Sequence, residues 1–175
     1  EENTLVIDAR NLSMDTMSGE NVTGMRSSIT LLGAVLGRCR EVTMAYPGGC
    51  VIGQRPIDIH LSALRKMGVV IYEKEGCFTA RVKSLEGAVI NLPISSVGAT
   101  ENVILAAVMA RGVTVLQNAA KEPEIATLCE FLREAGAVIE GIGGSVLIIQ
   151  GGHELHGVSF RVPADRIVAG TYLMS

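Results

Sequence analysis

The sequence predicts an α/β (α+β) protein built from a repeated unit of helix, strand, helix, strand, strand and strand. Three observations carry this. Stretches at about 25–93 and about 97–163 pass through the same order of apolar and polar patterns. Within each, the second helix begins at a proline and stops at a glycine, the usual punctuation of a helix. The first helix of each is apolar on nearly every side, as in "VILAAVMA", which suits helices packed inside and sheets outside.

The elements follow in order. The first unit opens with a helix over Ser28–Arg38 and a strand over Glu41–Tyr46. A loop ending in "QRPIDI" leads to a helix over Pro56–Met67 that stops before Gly68. There Ile57, Leu61 and Leu64 share one face, while Asp58, Ser62 and Arg65 lie on another. "VVIYEKEGCFTARV" reads as a hairpin turning at Glu75-Gly76, and Ala88–Leu92 as the closing strand. The second unit repeats this with a helix over Ala99–Arg111, a strand over Gly112–Asn118 and a helix over Pro123–Ala135 before Gly136. "AVIEGIGGSVLIIQG" is its hairpin, turning at Gly143-Gly144, and Val158–Val162 its closing strand. Residues 4–9 look like the returning strand of an earlier hairpin, and 165–175 like the opening helix of a further unit. The chain is therefore expected to be a piece of a longer protein; a two-repeat domain with ragged ends is the alternative.

Composition narrows the class. A chain of 175 residues, 48% hydrophobic and 19% charged, suits one globular domain with a sizeable core. The net charge of -3 and the lack of a Lys/Arg cluster give no reason to expect nucleic acid. Aromatics at 3% argue against a base-stacking surface. The longest apolar run, Val103–Ala110, falls short of the roughly 20 residues of a membrane span. Residues 1–5 lack the basic-then-apolar pattern of a signal peptide. None of Cys39, Cys50, Cys77 and Cys129 sits in a C-x-x-C pair, so reduced thiols in a cytoplasmic protein are the simplest expectation.

"YPGGCVIGQRP" (46–56) is the first place where chemistry is expected. Gly48 and Gly49 permit backbone conformations closed to other residues, so Cys50 stands on an adaptable loop. Arg55 favours a thiolate where the two lie close, and its planar fork suits phosphate or carboxylate. An incidental cysteine on a surface turn is the competing reading, and the residues alone do not separate the two. Asp58 suits the first turn of a helix on dipole grounds and equally suits a ligand's N–H groups. His60 alone points nowhere and is compatible with a solvated helix position. "PISSVGATEN" (93–102) ends a strand and starts a helix, so Ser95, Ser96 and Gly98 offer N–H groups to an anion such as a diphosphate. Plain N-capping by serine is the commoner role. Arg26 opens the other first helix. "GGHELHG" (151–157) is not H-E-x-x-H, and no metal or cofactor is assigned.

Taken together, "YPGGCVIGQRPIDIH", "GMRSSI", "SSVGAT", "NAAKEPEI" and "ADRIVAGTYL" resemble, in order and over the whole chain, the UDP-N-acetylglucosamine 1-carboxyvinyltransferase family of enolpyruvyl transferases. The resemblance implies an inside-out α/β barrel made of such repeats, with helices inside and sheets outside. On this footing residues 1–163 are most of one domain and 164–175 start the unit that crosses toward a second, facing domain. It implies transfer of enolpyruvyl from phosphoenolpyruvate to the 3-hydroxyl of UDP-N-acetylglucosamine, the first committed step of peptidoglycan synthesis. The route is addition and elimination through a tetrahedral ketal. Cys50 takes the position of the family's proton-delivering cysteine, the one alkylated by fosfomycin. Arg55 and Arg26 match ligand-contacting arginines. Pro56, Ile57, Asp58 and Ile59 match the uridine segment, with His60 next to it among the substrate-binding residues, and Ser96, Val97 and Gly98 match the diphosphate turn. Ile94, Lys121 and Val168 depart from residues frequent in the family. The isolated chain, without the facing domain, is expected to show negligible turnover. Two alternatives stand beside this: another enolpyruvyl transferase or a cyclase on the same repeat, or a non-catalytic ligand-binding domain.

Overall fold

In the computed structural model, which describes residues 7–8, 16–17, 20–48 and 57–175, the repeated sequence becomes two four-stranded sheets of matching order. The first sheet holds β1 (Thr16–Met17), β2 (Glu41–Ala45), β4 (Cys77–Arg81) and β3 (Val70–Lys74), in that order. The second holds β5 (Val89–Asn91), β6 (Val113–Gln117), β8 (Val146–Gln150) and β7 (Val138–Glu140). In each, the first pair is parallel and the other pairs are antiparallel. Alternation explains the orientation: Val42, Met44, Phe78, Ala80, Leu116, Leu147 and Ile149 are buried on the inner faces. The outer faces carry the polar partners. Thr43 and Thr79, opposite one another, join hydroxyls at 2.9 Å. Arg81 grips Glu41 through two hydrogen bonds of 2.6 and 2.8 Å, fixing the β2–β4 register.

The helices lie between the sheets. A short α1 (Glu20–Thr23) and a 3-10 helix (Arg26–Thr30) lead into α2 (Leu31–Cys39), and α3 (Asp58–Lys66) follows β2. In the second unit α4 (Val97–Ala107) precedes β6 and α5 (Pro123–Glu134) follows it; α6 (Arg166–Met174) ends the chain. No residue of α4 is exposed. Its Val103 and Ile104 are fully buried, which contributes about 2 kcal/mol for each side chain. The predicted face of α3 is the buried one: Ile57, Leu61 and Leu64 are inside, and Asp58, Ser62 and Arg65 outside. Gly68 and Gly136 end α3 and α5 with φ of 91° and 108°, the left-handed geometry that favours glycine after a helix.

Four expectations change. The opening helix is not uniform, because Ser28 donates its hydroxyl to Met25 O at 2.7 Å and Val22 O at 3.2 Å, and the entry tightens into the 3-10 turn. The strand β5 closes no sheet with its own unit; it pairs with β6 of the next, so each sheet draws its first strand from the preceding stretch. Residues 158–162 form no strand, and the residues after them become α6. Residues 7–8 form no strand, and the rest of 4–9 lies outside the described residues. The short β1 and α1 were not foreseen, being too brief to show a period.

Thr114 on β6 is fully buried, and its hydroxyl has no partner among the described residues. Thr114→Val is therefore expected to stabilise the chain by about 1 kcal/mol, since an unmet buried hydroxyl is costly and an apolar isostere is not. Urea unfolding of the two proteins checks this, and a lowered midpoint in the variant counts against it.

Candidate functional site

Those predicted site residues that fall among the described residues lie on segments that converge where α3 and α4 begin. The start of α4 is built by Ser96, whose hydroxyl accepts from Ala99 N at 3.4 Å while its carbonyl accepts from Thr100 N at 2.9 Å. Ser96 is thus an N-cap, as the commoner expectation had it. The cap still leaves Val97 and Gly98, the first two helical positions, with N–H groups that no turn of the helix can use.

His60 lies against this turn. A Cβ added at Gly98 would come within 3.2 Å of its Cε1 and 3.6 Å of its Nε2, so the outer edge of the ring faces Gly98. A methyl group at position 98 would press on the ring, so glycine eases the close approach of the two helix starts. Contrary to a solvated position, His60 is buried, with 6% of its surface exposed. Burial, aided by the charge of Arg26, lowers its pKa to about 4. Arg26, the first residue of the 3-10 helix, is thereby tied electrostatically to the same place. Asp58 is exposed on the opening turn of α3, Ile59 is half-buried, and Ile57 is buried beneath them. The structure thus gathers Arg26, Asp58, Ile59, His60, Ser96, Val97 and Gly98 around one junction.

Cys50, Arg55 and Pro56 lie outside the described residues. The flanks of that segment are well defined. Gly48 N donates to Thr23 O at 2.9 Å, beside the 3-10 helix that carries Arg26. Tyr46 is held by its N–H to Gly76 O at 3.2 Å, by its hydroxyl to Glu73 at 3.1 Å and by its ring against Phe78. The chain resumes at buried Ile57, one residue before α3. Gly48 and Ile57, the described residues on either side of Cys50, therefore both lie near the junction.

Asn102 was missed by sequence reasoning. It is fully buried on α4, four residues after Gly98 and on the same face. Its Oδ1 accepts from Gly33 N at 2.6 Å on α2, and its Nδ2 reaches Ile29 O at 2.9 Å and His60 Nδ1 at 3.1 Å. One amide therefore links α2, the 3-10 helix, α3 and α4. The available signal was a lone amide set in the most apolar helix of the chain.

The departing residues Ile94, Lys121 and Val168 are exposed and take no part in the junction. A separate apolar cavity of about 960 Å³ lies between α5 and residues 158–167, lined by Leu128, Phe131, Phe160 and Ile167 among others. It contains none of the predicted site residues. Near it Arg166 clasps Glu124 through bonds of 2.8 and 3.2 Å, which holds that carboxyl below its ordinary range. Among the described residues no group of three or more His, Cys, Asp or Glu is arranged to hold a metal, and no helix is long and apolar enough to cross a membrane.

The state of His60 has a measurable consequence. Its folded pKa lies below the unfolded value, so the unfolded chain takes up the proton first as pH falls. Above about 6.5 the histidine contributes no pH dependence, and stability then declines from about 6.5 toward 4. His60→Gln is expected to flatten that decline in urea unfolding across the window. An unchanged slope would show that other groups cause it.

Comparison with known proteins adds independent findings. The family model described as EPSP synthase (3-phosphoshikimate 1-carboxyvinyltransferase) matches residues 1–175. UDP-N-acetylglucosamine 1-carboxyvinyltransferase 2 of Caldanaerobacter subterraneus subsp. tengcongensis is 46% identical over 169 residues, 97% of this chain and 40% of that protein. The UDP-N-acetylglucosamine 1-carboxyvinyltransferase of Zymomonas mobilis subsp. mobilis is 52% identical over 150 residues, 85% of this chain and 35% of that protein. The chain thus spans about 40% of the length of such relatives. Among solved structures, EPSP synthase from Acinetobacter baumannii aligns with a TM-score of 0.65 at 24% identity, covering 86% of this chain and 34% of its own. The enolpyruvyl transferase NikO from Streptomyces tendae aligns with a TM-score of 0.65 at 22% identity, covering 77% and 32%. These likenesses show the fold: the helices-inside, sheets-outside repeat of enolpyruvyl transferases.

Proposed function

Given that the chain belongs to the EPSP synthase (3-phosphoshikimate 1-carboxyvinyltransferase) family, we propose that the protein carrying it transfers enolpyruvyl from phosphoenolpyruvate to the 3-hydroxyl of UDP-N-acetylglucosamine. Phosphate is released, and the product is the first committed precursor of peptidoglycan. The observation that carries this reading is the meeting of two helix starts at His60 and Gly98. Each start belongs to one of the motif segments, "RPIDIH" and "SSVGAT". A helix start with spare N–H groups suits a diphosphate, and an exposed acid on the neighbouring turn suits the N–H of a uracil ring. Relatives at 46–52% identity bear the name of this activity, which favours the UDP-sugar over shikimate 3-phosphate as acceptor.

In this reading Ser96, Val97 and Gly98 hold the diphosphate, Pro56 to Ile59 hold the uridine, and His60 stands between the two as a further substrate-binding residue. Arg26 and Arg55 balance the charge of the phosphate-bearing substrates. Cys50 delivers a proton to the methylene carbon of phosphoenolpyruvate while the sugar hydroxyl adds to the neighbouring carbon and releases its own proton to solvent. The tetrahedral ketal then returns a proton from the new methyl group to the Cys50 thiolate and expels phosphate, restoring the double bond. General acid work of this kind needs a titratable group on a closing loop. A cytoplasmic location and a facing domain supplied by the rest of the protein belong to the same proposal.

The test is phosphate release by the full-length protein. Release should require phosphoenolpyruvate and UDP-N-acetylglucosamine together. Equal release with shikimate 3-phosphate, or none with the UDP-sugar, would overturn the reading.

A further inference from the structure

The hydrogen bonds of Asn102 determine more than packing. Gly33 N can only donate and Ile29 O can only accept, so the amide orientation is fixed, with Oδ1 toward Gly33 and Nδ2 toward Ile29. The second hydrogen of Nδ2 points to His60 Nδ1 at 3.1 Å, and that nitrogen must then offer its lone pair. A proton on Nδ1 would face a proton on Nδ2 inside a buried site. The neutral ring therefore carries its proton on Nε2, along the edge that faces Gly98.

We propose that Asn102 is a positioning residue of the sugar-nucleotide site: it holds His60 in the Nε2–H form, so that a neutral donor stands at the first turn of α4 beside the diphosphate. This rests on the function proposed above and deepens it. Asn102 itself touches no substrate; it acts through the ring. Burial, with the charge of Arg26, lowers the pKa of His60 and so keeps the ring neutral in this arrangement. Histidine placed this way supplies direction without charge, while Arg26 supplies charge.

Two measurements on the full-length protein test this. In the first, histidine side chains are labelled with nitrogen-15 and the His60 signals are assigned by their loss in His60→Gln. Nδ1 should be unprotonated and Nε2 protonated from about pH 8 to about pH 5. A protonated Nδ1 in that range overturns the proposal. In the second, KM for UDP-N-acetylglucosamine is compared between His60→Gln and His60→Asn. Glutamine extends an amide N–H toward the Nε2 position, and asparagine does not reach it. KM should rise at least about tenfold for asparagine and stay within about threefold for glutamine, with kcat little changed in both. Asn102→Asp, which accepts from Nδ1–H, should reverse the tautomer and raise KM about tenfold although His60 is retained. Should that variant fail to fold, the unaltered protein and the His60 pair still decide. Equal KM values for all of them sink this inference alone. Absence of any UDP-sugar-dependent turnover in the unaltered protein overturns the underlying function, and the diphosphate role of His60 with it.

Discussion

Alanine in place of Cys50 is expected to lower UDP-sugar-dependent phosphate release by the full-length protein by about 10²–10⁴-fold, the usual loss when a positioned proton donor is removed. KM for the UDP-sugar should change far less, because the groups assigned to the uridine and diphosphate lie on α3 and α4. The other thiols cannot take over. Cys129 is buried in the core, where desolvation, helped by Glu130, pushes its thiol up to about 11. Cys39 and Cys77 are half-buried, on α2 and β4. Limited alkylation should accordingly label Cys50 first. A loss of turnover below about tenfold would remove Cys50 from the proton-transfer step.

Gly33→Ala should destabilise the fold by about 3 kcal/mol or more, a large effect for one methyl group. The added carbon would overlap the carbonyl oxygen of Asn102 and lie 2.6 Å from its Oδ1 and 3.1 Å from Ala106 N. Two of these neighbours are helix backbone and cannot give way singly. The shift needed to relieve them also breaks the Gly33–Asn102 hydrogen bond, leaving a buried acceptor short of its donor. Gly37, one turn on, meets the side chain of Met109 instead, at 2.9 Å, so Gly37→Ala should cost less. Urea unfolding of both variants provides the comparison. A loss below about 1 kcal/mol for Gly33→Ala would mean that α2 and α4 are free to part.

The repeat was legible in the residues because its signals are local. Pro123 and Gly136 bound α5, Glu75-Gly76 turns the first hairpin, and the alternation in "VLIIQ" marks a strand with one inner face. Each depends on a few neighbours and survives without knowledge of the rest of the chain. The closing strands were less legible for the opposite reason. β5 and 158–162 hold matching places in the two repeats, but a short strand forms only where a partner lies beside it. β5 finds β6. The residues after 162 become a helix, and 158–162 stays irregular.

The candidate site divides in the same way. Arg26, Asp58, Ser96 and Gly98 could be named as candidates from the sequence, because the motifs that carry them resemble those of the family. His60 and Asn102 could not be paired there, because 42 residues separate them and neither has a fixed role until its neighbours are known. By itself, the sequence determined the order of elements, the faces of α3 and the segments proposed to carry chemistry. Tertiary structure alone decided that two helix starts meet, that the histidine between them is buried, and that an amide on the most apolar helix meets its ring. A hydrogen bond in the core has a direction only when both partners are in place and water is gone, and no local pattern encodes that.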